Sequence, residues 1–245
     1  VRATTSSHRR VFGKPQQTGY NADMTRIDGL PLFPLNTVLF PGQLLPLHIF
    51  EPRYRLMISE CLTRQSPFGV VLIRDGNEIG GDGMPFDVGT TARIEQAHRL
   101  DDGRMNILCV GQSRFKVARL HHHRPYLSGD AELWPWEPLV DEMAAEPRSA
   151  HIRQLLTAYL RQLAKAIGNT VQLDDMPSEP APLANLAAIV LQIPNREKQH
   201  LLAAPSVDVL VDDCIHLLER ENRALKIAAA LPLAANEGSM PFSQN

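Results

Sequence analysis

The sequence predicts an α+β fold in two parts, a β-rich front half with one inserted helix and a helical bundle behind it. Three observations predict it. Between Leu30 and Trp136, short apolar runs alternate with turn residues at strand-like spacing. One stretch within that region repeats its apolar residues with a helical period instead. After Trp136 the texture changes, first to an acidic, proline-bearing segment and then to sustained helical periodicity.

The elements follow in order. Leu30 to Phe40 is an apolar run broken by Pro31 and Pro34, which block regular ladder pairing and predict an edge or irregular strand. Pro41-Gly42 is a turn signal, and Leu44 to Phe50 is a second short strand. Glu51-Pro52 opens a helix, since proline is tolerated in a first turn. Tyr54, Met57, Ile58, Cys61 and Leu62 then fall on one face of it. Phe68 to Ile73 is a compact strand closed by Asp75-Gly76-Asn77. Asp101-Asp102-Gly103 joins the runs 87–100 and 104–120 as a hairpin. Tyr126 to Trp134 is the last strand. Several short strands with one helix predict a small barrel or a strongly bent sheet.

Glu137 to Arg148 carries Pro138 and Pro147 and reads as a linker. Behind it, Leu156, Tyr159, Leu160, Leu163 and Ile167 form one apolar stripe ended by Gly168-Asn169. Leu183, Leu186, Ala187, Val190 and Leu191 form a second, ended before Pro194. Asn195 is the expected cap of a short helix through Leu202. Ser206 caps a fourth, with Asp208 in its first turn, where the helix dipole favours a negative charge. The expected organisation is a disordered extension over 1–26, a β-rich unit over 27–137, a linker over 138–148, a helical unit over 149–230 and a disordered tail over 231–245.

A net charge of −2 gives no electrostatic footprint for nucleic acid, which calls for a basic excess or stripe. Cys61, Cys109 and Cys214 are too widely spaced for a disulfide framework or a zinc site and sit among apolar neighbours, which suits buried thiols in a reducing compartment. No apolar run reaches the ~20 residues that cross a bilayer. The 23 residues before Met24 lack the apolar core of a signal peptide. The expectation is a cytoplasmic protein with no membrane partner.

Signatures of catalysis are missing. There is no phosphate-binding Gly-x-x-x-x-Gly-Lys loop, no Gly-x-Ser-x-Gly elbow and no His-Glu-x-x-His pair, and Gly80-Gly81-Asp82-Gly83 does not fit a dinucleotide fingerprint. No catalytic residue, metal site or cofactor is assigned. Within His121-His122-His123, His121 and His123 share one strand face and offer two ligands to a metal, but no third is near, and a solvated turn beside Arg124-Pro125 is preferred. The pairs Asp101-Asp102 and Asp174-Asp175 lie in turn and linker sequence, where aspartate serves local hydrogen bonds. Asp212-Asp213 fits the solvated side of its helix.

Three aromatic features stand out: Phe50-Glu51-Pro52-Arg53-Tyr54 between strand and helix, Trp134-Pro135-Trp136 beside the linker, and Phe115 between Arg114 and Lys116. Either these rings are core and junction packing, or they line an apolar groove for extended peptide. On the second reading the candidate peptide-binding residues are Phe50, Arg53, Tyr54, Trp134 and Trp136.

Leu30-Pro-Leu-Phe-Pro-Leu-Asn-Thr-Val-Leu-Phe-Pro-Gly42, followed by Leu45-Pro-Leu-His-Ile-Phe-Glu-Pro-Arg-Tyr54, strongly resembles the start of the Lon N-terminal, substrate-binding domain. Gly111-Gln-Ser-Arg-Phe-Lys-Val117 and Pro194-Asn-Arg-Glu-Lys-Gln-His-Leu-Leu202 are similar to later parts of that domain. The resemblance runs over about residues 27 to 228. It implies a PUA-like β pseudo-barrel followed by a helical bundle, and a role in engaging unfolded or damaged polypeptide. It supplies no catalytic residue. Because the sequence ends before the ATPase and protease parts of Lon, it looks like one of the stand-alone bacterial proteins of the family. The expected function is a binding module for unfolded or apolar polypeptides, or an adaptor beside a separate protease or chaperone, with a homodimer left open. The alternative is a small-ligand or RNA-binding PUA-like protein.

Overall fold

The computed structural model describes residues 26–76, 83–141, 145–170 and 176–230. The expected tail, nearly all of the expected N-terminal extension, the Asp174-Asp175 pair and most of the glycine run at 80–83 lie outside the described residues. The front half contains β1 (Arg26–Leu35), β2 (Leu44–Ile49), α1 (Pro52–Arg64), β3 (Phe68–Asp75), β4 (Met84–Arg99), β5 (Met105–His121) and β6 (Ser128–Leu133). The back half contains α2 (Ala145–Ala166), α3 (Pro180–Val190), α4 (Asn195–Leu202) and α5 (Val207–Ala230). This is the expected α+β arrangement of pseudo-barrel and helical bundle.

The strand order is β2-β5-β4-β3-β1-β6, and β6 pairs back onto β5. Five strands therefore close a ring, with β2 attached outside it. The closure depends on the length of β5. Its first half, Met105 to Val110, pairs with β2, and its second half, Phe115 to His121, pairs with β6. Gly111 lies between the two, where a Cβ would sit 2.2 Å from the Phe40 carbonyl oxygen. Only glycine permits that approach of the loop to the strand. Gly103, with φ +80°, makes the expected β4–β5 hairpin turn.

β1 corrects the expectation of an edge strand, because it has a neighbour on each side. It is antiparallel to β6 over Arg26 to Pro31 and parallel to β3 over Leu32 to Leu35. The strand hands over from one partner to the other between its two prolines, at Leu32, which pairs with Gly69 of β3 while its N–H still donates to the Leu127 carbonyl at 2.8 Å. That is how a ring strand accommodates residues without an N–H. The expected irregularity is present as a register shift between Ile27 and Leu30.

Side chains alternate accordingly. Leu30 and Leu32 meet Val71, Phe115 and Ala131 inside the ring. Phe33 and Leu35 face α1, with Tyr54, Met57, Ile58 and Cys61. The third cluster joins the halves: Val38, Phe40, Leu72 and Val88 from the front pack among Leu156, Tyr159, Leu183, Leu210 and Leu218 of the bundle.

Three local expectations change in the back half. The helical part starts at Ala145, inside the segment read as a linker, because Pro147 falls in the first turn, where N–H groups have no intrahelical partner. Ile167 is 73% exposed, since α2 ends at Ala166 and Gly168 turns the chain at φ +72°. Asn195 is a helical residue rather than a cap; Pro194 holds the cap position, and the Asn195 amide donates to the Asn36 carbonyl across the junction. The Ser206 cap is present, with its hydroxyl accepting from the Val209 N–H at 3.3 Å.

Candidate functional site

The residues singled out by sequence fall into two separate places. The first is the corner where β2 runs into α1. Period-two alternation turns Leu45, Leu47 and Ile49 inward, where they pack on the α1-side core, and leaves Leu44, Pro46 and His48 exposed. Phe50 continues the outer face at 49% exposure, its ring stacked on His48 at 6.2 Å. Glu51 is extended (φ −68°, ψ 134°) and Pro52 starts the helix, so the chain turns immediately after Phe50. Arg53 donates to the Glu51 carboxylate at 3.0 Å, and its guanidinium lies 4.4 Å over the Tyr54 ring. Tyr54 itself is core, 4% exposed and stacked on Phe33 at 4.1 Å. Leu56, in the first turns of α1, is exposed again.

The second place is the junction between barrel and bundle. Trp134 and Trp136 are half-buried and pack on the shared cluster. Between them lies Arg114, with its guanidinium 4.6 Å from one ring and 4.1 Å from the other. Arg114 is 2% exposed and has no carboxylate partner among the described residues. It donates instead to the carbonyls of Leu202 (2.6 Å) and Ala204 (2.7 Å) at the C-terminal end of α4, where unpaired carbonyls and the helix dipole favour a cation. Burial pushes its pKa down to about 9. Lys116, two residues along on the same strand face, stays exposed with its ammonium 5.7 Å from Trp134, while Phe115 points into the ring. The sequence showed the alternation of Arg114, Phe115 and Lys116 but not that Arg114 is the residue both tryptophans enclose. Its partners lie 88 and 90 residues away in the chain.

Phe50, Arg53 and Tyr54 are thus brought together, and so are Trp134 and Trp136, but Tyr54 and the tryptophans belong to different core clusters.

His121 and Asp102, from the other polar clusters singled out by sequence, have structural partners. His121 lies 3.0 Å from Asp130, whose carboxyl is held below the usual range by that contact and by the Gly29 N–H. Its ring centroid is 5.7 Å from that of His123. Among the described residues, no group of three or more His, Cys, Asp or Glu is placed to hold a metal ion. Asp102 accepts from the backbone and side chain of Arg104 within the hairpin turn, which lowers its pKa. Burial pushes the Cys61 thiol up to about 11 and that of Cys109 to about 12, and raises Cys214 further. No helix among the described residues is long and apolar enough to cross a membrane.

Comparison with known proteins assigns this architecture. The chain is 27% identical over 217 residues to a Lon protease of Anaeromyxobacter dehalogenans, covering 88% of this chain and 26% of that protein. It is 25% identical over 217 residues to Lon protease 2 of Myxococcus xanthus, again covering 88% and 26%. It therefore spans about a quarter of the length of these curated relatives. Among solved structures, a Lon N-terminal domain protein from Xanthomonas campestris superposes with a TM-score of 0.56 at 26% identity, covering 84% of this chain and all of that one. The N-terminal domain of a Mycobacterium avium complex Lon protease shares the fold, with a TM-score of 0.57 at 18% identity, over 78% of this chain and 98% of that one. Residues 29–220 match the family of the ATP-dependent protease La (LON) substrate-binding domain, and the chain belongs to that family.

Proposed function

We propose that the domain is a non-catalytic recognition module that binds unfolded or apolar polypeptide segments on the β2–α1 corner. The observation that carries this is the outward apolar row of Leu44, Pro46 and Phe50, with Leu56 following on α1. Phe50 and Leu44 are about half-exposed or more, whereas Phe33, Phe40, Phe68 and Phe115 are buried and Phe86 is partly buried. Exposed apolar groups rimmed by polar ones are typical of sites that meet another chain. Here the rim is Arg53, Glu51 and His48. Membership of a substrate-binding family supports the same reading.

The five candidate residues take different parts in it. Phe50 is the contact residue and Arg53 the cation at its edge. Tyr54 supports the corner from below, and Trp134 and Trp136 hold the bundle that packs behind the barrel. Delivery of the bound segment to a separate protease or chaperone, as an adaptor, is the same reading taken one step further.

The test is binding of a reduced, carboxymethylated protein that cannot refold, followed by fluorescence anisotropy with wild type, Phe50→Ala and Trp136→Ala. Wild type should bind, and Phe50→Ala should weaken binding without altering the fold. Absence of affinity for any unfolded chain or apolar peptide refutes the proposal. Pull-down from native extract then asks whether a protease or chaperone comes with the client.

A further inference from the structure

The proposed client surface includes a strand edge as well as an apolar row. Beyond the ring, β2, the first half of β5 and the second half of β4 form a three-stranded ribbon with two free edges among the described residues. One is β4 from Arg93 to Arg99, which pairs with β5 alone. The other is β2.

The two edges are treated differently. The β4 edge carries Arg93, Glu95, His98 and Arg99, all exposed, and a register shift between Ile94 and Gln96. Charges and bulges are how proteins keep an edge from pairing with another strand. The β2 edge has no charged lysine, arginine, aspartate or glutamate, is regular over six residues, and exposes leucine, proline and phenylalanine. One edge is guarded and the other is left open.

The backbone groups on that open edge can be assigned. The Gly111 N–H donates to the Gln43 carbonyl at 2.9 Å. In an antiparallel ladder hydrogen-bonded pairs alternate, which places Leu45, Leu47 and Ile49 in the bonds to β5. The N–H and C=O of Leu44 and His48 and the C=O of Pro46 then point outward. The proline sits where its missing N–H costs the β2–β5 ladder nothing, as expected on an edge.

From this geometry we infer that β2 receives its client as an added antiparallel strand, so that the backbone of an extended segment supplies affinity and its alternate side chains lie beside Leu44 and Phe50. The inference rests on the function proposed above and specifies how that site reads its ligand. Residues opposite Leu44 and His48 have their side chains on the exposed apolar face, so an apolar–polar alternation is selected. Pro46 argues for a client over a second copy of this chain. Two β2 strands paired about a two-fold axis, in the register that uses all three outward positions, would set Pro46 against Pro46 and leave both central carbonyls without a donor. A client strand leaves at most one of its own carbonyls unmatched.

The test uses a synthetic decapeptide of alternating leucine and threonine with lysine at each end, and two N-methylated forms. Methylation of the leucine nitrogens removes the donors that face β2. Methylation of the threonine nitrogens alters only the far edge. The leucine-methylated peptide is expected to bind about a hundredfold more weakly than the parent, and the threonine-methylated form within about threefold of it. Pro46→Ala, which adds an outward donor on an exposed residue, should tighten parent binding about three- to tenfold. If both methylated peptides bind like the parent, strand addition is wrong while apolar recognition stands. If the parent and every unfolded chain fail to bind, both fall. A concentration-dependent dimer in sedimentation, strengthened by Pro46→Ala, would overturn the client as occupant in favour of a second copy.

Discussion

At the β2–α1 corner and at the junction an arginine is set against aromatic rings, and the two arrangements come to opposite ends. At the β2–α1 corner, Arg53 lies over Tyr54 and bonds Glu51, two residues away, while Phe50 remains half in solvent. At the junction, Arg114 lies between Trp134 and Trp136 and bonds two carbonyls of the bundle. A cation over a ring does not by itself distinguish a recognition surface from an internal fastening. The destination of the polar ends does. The bond of Arg53 to Glu51 stays within its own turn and leaves Phe50, three residues before it, exposed, whereas the long-range bonds of Arg114 fasten the two halves and hold both tryptophans at the junction.

The largest effect that tests this contrast is at Arg114. Arg114→Ala removes both bonds to the end of α4, strands two carbonyls and opens a gap between the tryptophans. It should cost about 3–5 kcal/mol, read from the urea midpoint. Arg114→Met fills the gap and also removes a cation that burial disfavours, so it should recover roughly half of that loss. An unchanged midpoint in Arg114→Ala would show that the junction is not held by this residue.

Within the corner, neighbouring aromatics should behave differently. Tyr54→Ala empties a site stacked on Phe33 and is expected to lower stability by about 3 kcal/mol. Phe50→Ala should leave the urea midpoint within about 0.5 kcal/mol of wild type and weaken binding of an unfolded chain about tenfold. If Phe50→Ala instead unfolds the protein while leaving binding unchanged, the corner is packing like the junction and the contrast disappears.

Most of the fold was legible because it follows from local rules. Helix α1 announced itself through Pro52 and the spacing of Tyr54, Met57, Ile58 and Cys61, and the β4–β5 hairpin through Asp101-Asp102-Gly103. What was not legible depends on partners distant in sequence. The prolines of β1 suggested an outer edge, but the handover from β6 to β3 between Pro31 and Leu32 is a property of ring closure. The same applies to Arg114, whose surroundings come from β6 and α4. The candidate rings were identified as residues, but their exposure was not: Phe50 and Tyr54 are four positions apart, and the side chain that reaches solvent is set by the end of a strand and the phase of a helix.

The smallest effect concerns how independently the two places open, and the three thiols report it. Cys61 and Cys109 lie beneath the corner, and Cys214 lies in the bundle behind the junction; all are buried. A thiol in the unfolded chain loses its proton near 9, while burial holds Cys61 to about 11 and Cys109 to about 12. Above pH 9 the folded chain therefore keeps protons that the unfolded chain has released. This contribution to stability is fully present below pH 9 and is lost as pH rises through 11 to 12, so the urea midpoint should be lower at pH 10.5 than at pH 8. Thiol labelling in low urea at pH 8 adds the spatial order. Cys61 is one turn from the end of α1, where helices fray, whereas Cys214 is two turns inside α5 and donates to the Ala184 carbonyl. Cys61 should be modified first and Cys214 last, as mass spectrometry of partially labelled protein would show. Equal rates at all three would mean that corner and junction open together. The exposed face of β2 would then lie on a scaffold as cooperative as the bundle, and the difference between the two regions would be one of surface chemistry alone.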